Sequence, residues 1–285
     1  MPAPPPCLNC GAPMTGPYCA ACGQKVPAPN PSVWELLKDT THELAHWDGK
    51  IPATMKSLLV APGQLTEDFL AGRRARWLSP LRLYLLCSLV FFASKPVIEN
   101  VTGRSLRQMA QVSLRDDGST GPLTPEEREI VARGWPARFF GVEQLERAAT
   151  DGSALNREVE TALARAMFVL MPVFALLTWS CWRKPRLRYP AHLYFSLNWH
   201  SAVFAVFALV TIVRGLVPFD SVVGLFVLVA FMYLAWHFVT ALRRAFGQSW
   251  RRTIPKAILV GVAYWAIILV TALGLLGYAV MRMQP

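Results

Sequence analysis

Charged residues are scarce in this chain, and their scarcity argues against a soluble protein. Asp, Glu, Lys and Arg make up 16% of the 285 residues, against roughly 25% in soluble domains, whereas hydrophobic residues make up 53%. The start of the chain lacks a basic stretch followed by an apolar one, so we expect no cleavable signal peptide. No internal repeat is evident, which weakens an inverted-repeat transporter interpretation.

The apolar residues are gathered into five blocks. They lie at 78–98, 162–182, 191–213, 219–242 and 256–281. Each block is long enough to cross about 30 Å of hydrocarbon at about 1.5 Å per residue. The sequence therefore predicts an all-α polytopic membrane protein with about five transmembrane helices. Ahead of them, two CxxC pairs, Cys7 with Cys10 and Cys19 with Cys22, predict a small N-terminal zinc-ribbon module.

Positive charge is concentrated in two short loops that contain no acidic residue. One loop holds Arg183, Lys184, Arg186 and Arg188, and the other holds Arg243, Arg244, Arg251, Arg252 and Lys256. Short loops rich in Lys and Arg are typical of the cytoplasmic side of a membrane. The net charge of +11 is therefore explained mostly by topology, which argues against nucleic acid as a partner.

This pattern predicts five spans in the lipid bilayer, with a cytoplasmic N-terminus and an outside C-terminus. The predicted domains are a zinc ribbon with a proline-rich tail at 1–24, cytoplasmic juxtamembrane helices at 25–77, a first span at 78–98, an outside helical segment at 99–160 and a four-helix transmembrane region at 161–285. Short helices are expected at about 51–60 and 64–71. Thr124 predicts a helix start, and another helix near Ser153 should continue into the second span.

Four cysteines near the N-terminus form two CxxC pairs, and we predict that they bind zinc. Cys7 with Cys10 and Cys19 with Cys22 match the spacing of zinc ribbons, in which four thiolates surround one ion. A structural zinc would stabilise a segment that is too small to fold by hydrophobic burial. An iron site of rubredoxin type and a redox role remain alternatives, whereas disulfides require an oxidising compartment.

A second motif, His42-Glu43-Leu44-Ala45-His46, matches the HExxH pattern of zinc metalloproteases. His42 and His46 would bind the ion and Glu43 would activate a water molecule. No downstream motif names a third ligand, so the three residues are weak catalytic candidates. We lean towards a protein that is not an enzyme.

Three histidines lie within the predicted spans. His192 and His200 share one helical face of the third span, and His237 lies on the fourth. Polar side chains in hydrocarbon often face a functional site, so the three could form an intramembrane polar site. The favoured interpretation is hydrogen bonding between spans that fixes their packing.

Several stretches together resemble a bacterial membrane family classed only as a domain of unknown function (number 3667). The resemblance rests on CLNCG, YCAACGQK, LLVAPGQLTEDFLAGRRARWLSPLRLYLL, RYPAHLYFSLNWH and ALRRAFGQSW. The residues that carry it are Cys7, Cys10, Cys19, Cys22, Pro62, Gly63, Gly72, Arg73, Arg76, Pro80, His192 and His200. The resemblance implies a multi-pass bacterial inner-membrane protein with a cytoplasmic zinc ribbon and implies no particular activity.

The sequence leaves three functions open. The leading hypothesis is a non-enzymatic scaffold or adaptor whose zinc ribbon binds a cytoplasmic protein partner. The second is a channel or transporter with a polar site near His192 and His200. The third is an HExxH membrane metalloprotease. The sequence gives no basis for an oligomeric state.

Overall fold

The computed structural model describes residues 4–26, 49–103, 124–134, 137–150, 152–183 and 187–282. Within these ranges the chain is mostly helical, apart from a cysteine-rich module at 4–26 with two antiparallel bridges, Pro6 to Pro13 and Tyr18 to Lys25. The chain divides into two compact units, Met1–Arg104 with Met171–Gly261 and Ser105–Leu170 with Val262–Pro285. The predicted all-α class is confirmed.

Ten helices form within the described residues. They are α1 (Ile51–Val60), α2 (Gln64–Leu70), α3 (Pro80–Thr102), α4 (Pro125–Arg133), α5 (Ala137–Phe140), α6 (Val142–Thr150), α7 (Gly152–Cys181), α8 (Tyr189–Leu216), α9 (Asp220–Phe246) and α10 (Trp250–Arg282). The bounds of α1 and α2 confirm the two short helices expected from the sequence to within one residue.

Four of the described helices, α3, α8, α9 and α10, are long and apolar enough to cross a membrane. Each covers most of one predicted apolar block and extends beyond it, as α3 does by continuing to Thr102. The remaining block at 162–182 falls in α7, whose apolar part is Arg165–Cys181. Helix α7 begins at Gly152, which confirms the expected helix that continues into this block.

Helix α8 lies at the centre of the first unit. Half of its most apolar stretch is buried (50%), compared with 11% for α10. Tyr84 and Phe91 of α3 contact Phe204 of α8, with ring centroids 5.7 and 5.4 Å apart. Because lipid is as apolar as these side chains, close packing and hydrogen bonds rather than hydrophobicity hold such helices together.

The turn between α1 and α2 packs directly on α9. Gly63 has φ +80°, and a Cβ atom built there would lie 2.7 Å from the carbonyl oxygen of Ala241. Only glycine combines the left-handed conformation with so close a backbone approach. The sequence Pro62-Gly63 thus fixes the position of both short helices against the span.

The second unit is a small helical assembly with its own core. Leu145 and Ala148 of α6 form a buried cluster with Ala279 and Val280 of α10. Helix α4 begins with the predicted cap, because the Thr124 side chain accepts a hydrogen bond from the Glu127 amide and the Glu127 carboxylate accepts one from the Thr124 amide. The segment after α3 therefore packs against the C-terminal end of α10.

Replacement of Gly63 by alanine should destabilise the protein by about 2 kcal/mol or more, because the new methyl group meets the Ala241 backbone in a disfavoured conformation. Thermal unfolding of the purified protein in detergent measures the effect. Gly224→Ala is the matched control, since it lies within α9 and a Cβ there meets no atom within 4 Å. Equal stability of the two variants would contradict the close packing of this turn.

Candidate metal centre and its docking platform

The cysteine-rich module consists of two loops built in the same way. In the first, the Cys7 amide donates to the Ala12 carbonyl and the Gly11 amide to the Cys7 carbonyl. In the second, the Cys19 amide donates to Gln24 and the Gly23 amide to Cys19. Each loop thereby presents two thiols from one tight turn, and the two turns face each other.

The four sulfurs converge on one point. The Sγ atoms of Cys7 and Cys22 are 3.7 Å apart and those of Cys10 and Cys19 are 3.5 Å apart. All four lie within 4.8 Å of one another. Four sulfurs at tetrahedral corners, each about 2.3 Å from an ion, would be about 3.8 Å apart. The donor set and the spacing therefore fit a tetrahedral metal site.

Backbone amides contribute to the centre as well. The Cys22 amide donates to the Cys19 sulfur and, with help from the Ala21 amide, lowers the pKa of that thiol from 9.0 to about 7. The Ala12 amide acts in the same direction on Cys10, but the thiols of Cys19 and Cys22 outweigh it and raise the Cys10 pKa to about 12. Metal binding requires the thiolate form, so a cation bound by these four sulfurs would displace the remaining thiol protons.

A single glutamine side chain docks the cysteine module onto the rest of the first unit. The Gln24 amide nitrogen donates to the Gly72 carbonyl at 2.7 Å, and its oxygen accepts from the amides of Arg74 and Ala75 at 2.9 and 3.0 Å. Gln24 is buried, with 6% of its surface exposed. The bond to Gly72 is buried and the other two are part-buried, and together they join the module to the loop after α2.

The same loop receives a leucine from the module. Gly72 has φ +79°, and a Cβ atom there would lie 2.6 Å from Cδ1 of Leu8. A larger residue at this position would push Leu8 away in addition to straining the turn. The metal centre and the loop are thus in direct contact on both a polar and an apolar side.

Asp68 organises the loop that accepts the module. Its carboxylate accepts hydrogen bonds from the Arg73 guanidinium at 2.6 and 2.8 Å and from the Trp77 indole at 2.8 Å. The Arg73 amide also donates to the Asp68 carbonyl. Because the carboxylate is 7% exposed, the ion pair is shielded from solvent and holds the loop in one conformation.

Helices α1 and α2 are joined to the spans by polar contacts. His237 Nε2 bonds the Leu58 carbonyl at 2.8 Å, and the Tyr233 hydroxyl donates to the Leu59 carbonyl. These carbonyls belong to the last turn of α1, where a helix leaves its acceptors without internal partners. The Asn198 amide donates to the Thr66 hydroxyl at 3.0 Å. Side chains of α8 and α9 thus provide hydrogen-bond partners for polar groups of α1 and α2.

The other two histidines of the spans are buried in packing positions. His200 contacts the Ser196 carbonyl through Nδ1 at 2.8 Å and meets Phe174 edge-on. His192 stacks on Phe246 at 4.7 Å, and neither of its ring nitrogens has a hydrogen-bond partner within the described ranges. Among the residues that the structure describes, the cysteine cluster is the one group of three or more potential metal ligands. The three histidines of the spans therefore do not form a metal-binding group within those residues.

The HExxH residues His42, Glu43 and His46 lie outside the described residues. Their role as ligands or catalytic groups stays a prediction.

Comparison with known proteins found a family match for the segment that contacts the cysteine module. Residues 48–92 match the family described as protein of unknown function (DUF3667). We call residues 48–92 the DUF3667 segment. The match covers α1, α2, the loop after α2 and the first half of α3, whereas the resembling stretches at 7–25, 188–200 and 241–250 lie outside it. No curated protein and no solved structure matches the chain.

The DUF3667 segment is a platform with two contact faces. One face receives the cysteine module at Gly72, Arg74 and Ala75, and the other packs on α8 and α9 through Thr66, Leu58 and Leu59. At Gly63 and Gly72 an added Cβ atom would come within 3 Å of Ala241 on one side and of Leu8 on the other. The segment therefore connects the metal centre to the transmembrane helices.

Sequence reasoning located the ligands but missed the residues that position them. Gln24 and Asp68 both lie within stretches that carry the family resemblance, YCAACGQK and LTEDFLAGRR, and this was the available signal. Neither residue belongs to a recognised ligand motif, and their partners could be identified only from the three-dimensional arrangement.

Gln24→Ala should detach the cysteine module from the platform. The amides of Arg74 and Ala75 lose their acceptor, so we expect their hydrogen exchange to speed up by roughly tenfold in the full-length protein. Lys25→Ala is the matched control, because Lys25 is the exposed neighbour in the same loop. Unchanged protection of both amides in Gln24→Ala would show that the docking does not hold in solution.

Proposed function

We propose that this protein is a non-enzymatic membrane scaffold whose zinc ribbon binds a cytoplasmic protein partner. The observation that carries the proposal is the attachment of the cysteine module to the DUF3667 platform by three hydrogen bonds from Gln24. A module fixed in this way presents its outer surface at a defined position relative to the spans. A flexible tail would offer no such geometry.

The proposed metal is zinc. Four thiolates in a tetrahedron suit zinc, and structural zinc sites with four cysteines are closed to further ligands. Such a site supplies folding free energy rather than a reaction, which agrees with a scaffold. Cys7 and Cys19 are buried, with 5% and 2% of their surface exposed, so an ion would be shielded on one side by the module.

The proposed location is the inner membrane of a bacterium, with the N-terminus in the cytoplasm. The Arg244–Glu67 ion pair joins the DUF3667 segment to the basic end of α9. Lys256 donates to the Cys181 carbonyl at 2.8 Å, which brings the two basic loops close together. This grouping supports placing the platform and both loops on the cytoplasmic side, where short basic loops reside.

The second unit supports the proposed side of the C-terminus. Its core joins α6 of the intervening segment to the C-terminal end of α10 at Ala279 and Val280. Both parts therefore belong on one side of the membrane, which we propose is the outside. With α7 counted as a span through its apolar part, Arg165–Cys181, the number of crossings is five.

The outer surface of the ribbon is suited to protein recognition. Tyr18 and Val26 are 60% and 53% exposed, and neither takes part in the contact that Leu8 makes with Gly72. Exposed apolar groups rimmed by polar residues are typical of interaction sites. We propose that a cytoplasmic protein covers them.

Transport through a site near His192, His200 and His237 is the weaker proposal. The cavity beside His237 measures about 10 Å³, which is room for at most one water molecule. His200 and His237 are each engaged with a backbone carbonyl. These contacts favour a packing role for His200 and His237. The observation that still supports the transport hypothesis is that the ring nitrogens of His192 have no hydrogen-bond partner among the described residues.

Purified full-length protein should contain one zinc per chain, and Cys7→Ser should abolish it because three thiolates and a hydroxyl bind zinc poorly. Elemental analysis measures the content, and Cys181→Ser, which alters a cysteine outside the cluster, should retain it. Iron in place of zinc would contradict the proposed metal. A second zinc lost on His46→Ala would revive the metalloprotease hypothesis.

A photo-crosslinking residue at Tyr18 in the full-length protein should capture one cytoplasmic protein in cells, and the product should disappear in Cys22→Ser because the ribbon surface requires the metal. A crosslinker at Ile130, which is 72% exposed on the second unit, is the matched control and should not capture that protein. The scaffold proposal fails if no product forms, or if capture at Tyr18 survives loss of the cluster.

A further inference from the structure

A groove of about 810 Å³ lies between the DUF3667 segment and the loop that joins α9 to α10. Ala61, Pro62 and Glu67 form one wall, and the end of α9 with Gln248 and Ser249 forms the other. The volume falls in the roughly 300–1,000 Å³ range of small-molecule sites. Neither the ribbon nor the buried histidines contribute to it.

The groove extends along one face of α9 from an apolar to a basic end. Three residues of α9 line it: Trp236, Thr240 and Arg243. They are four and three residues apart, so they lie on one side of the helix. Trp236 is 52% exposed within a span, and Val60 on the facing wall is 70% exposed. One end of the groove therefore opens towards hydrocarbon and the other lies at the membrane surface.

The basic end carries a net positive charge. Arg244 forms an ion pair with Glu67, the one carboxylate lining the groove, so these two charges offset each other. Arg243 has no carboxylate partner in the described part of the chain, and its guanidinium is held over the Trp250 ring at 4.6 Å. A planar cation fixed in this way can present its donors to a phosphate.

Other polar groups that could bind an anion line the groove near Arg243. Gln248 and Ser249 precede the first turn of α10, which contains no acidic residue and whose dipole favours an anion. The Thr240 hydroxyl is buried, and among the residues that the structure describes it has no hydrogen-bond partner. The Arg243 guanidinium, the Thr240 hydroxyl and the apolar end at Trp236 therefore occur together in one groove.

We propose that this groove binds the headgroup of an anionic phospholipid. Arg243 pairs with the phosphate, Thr240 and Gln248 bond its oxygens or the adjoining headgroup, and the acyl chains extend past Trp236 into the bilayer. The apolar mouth favours a lipid over a soluble phosphate ester, because a soluble ligand gains nothing from an exit into hydrocarbon. This goes beyond the scaffold proposal and depends on neither the metal nor the ribbon.

Native mass spectrometry of the full-length protein in nonionic detergent tests the proposal. With matched acyl chains, phosphatidylglycerol should be retained in preference to phosphatidylcholine. Arg243→Gln should weaken phosphatidylglycerol retention by about five- to tenfold, the effect of one cation near a lipid phosphate. Arg252→Gln is the control, because Arg252 is an exposed arginine nearby that does not line the groove and its removal changes net charge equally.

Three outcomes would overturn the proposal. Equal retention of the two lipids by the unaltered protein would remove the preference for an anion. Equal weakening by Arg243→Gln and Arg252→Gln would show diffuse attraction to a basic surface instead of a site. Displacement of the lipid by millimolar inorganic phosphate would assign the groove to a soluble ligand. Circular dichroism of both variants confirms that each is folded.

Discussion

Backbone groups in the turns of the DUF3667 segment need hydrogen-bond partners, and the first unit is organised around that requirement. The Leu58 and Leu59 carbonyls at the end of α1 bond His237 and Tyr233. In the loop after α2, Gln24 bonds the Gly72 carbonyl and the amides of Arg74 and Ala75. A backbone carbonyl or amide that is shielded from water and lacks a partner is costly. The segment therefore holds its position only when ribbon and spans meet it from both sides.

Local features of the sequence were sufficient to predict the two short helices, the long apolar helices and the grouping of four cysteines. The CxxC spacing identified Cys7, Cys10, Cys19 and Cys22, and the turn residues Pro62 and Gly63 separated α1 from α2. Residue pairs distant in sequence could not be predicted in this way. Gln24 bonds Gly72 across 48 positions, and Asn198 bonds Thr66 across 132, and no periodicity encodes either pairing.

The ribbon and the groove share the DUF3667 segment without sharing residues. Gly72 and Asp68 serve the ribbon side, whereas Pro62 and Glu67 border the groove on α9. A protein bound to the ribbon and a lipid bound at Arg243 would therefore contact the same short element from different directions. If both proposals hold, this segment would link a soluble partner to the lipid composition of the membrane.

The distances in sequence between bonded groups also bear on the order of assembly during synthesis. The ribbon closes on contacts within 15 residues, so once a metal is bound it can form before the spans are synthesised. The bond between His237 and Leu58 joins groups 179 residues apart and must wait until α9 has entered the membrane. The platform is therefore completed late, and until then its turns lack the hydrogen-bond partners that the spans provide.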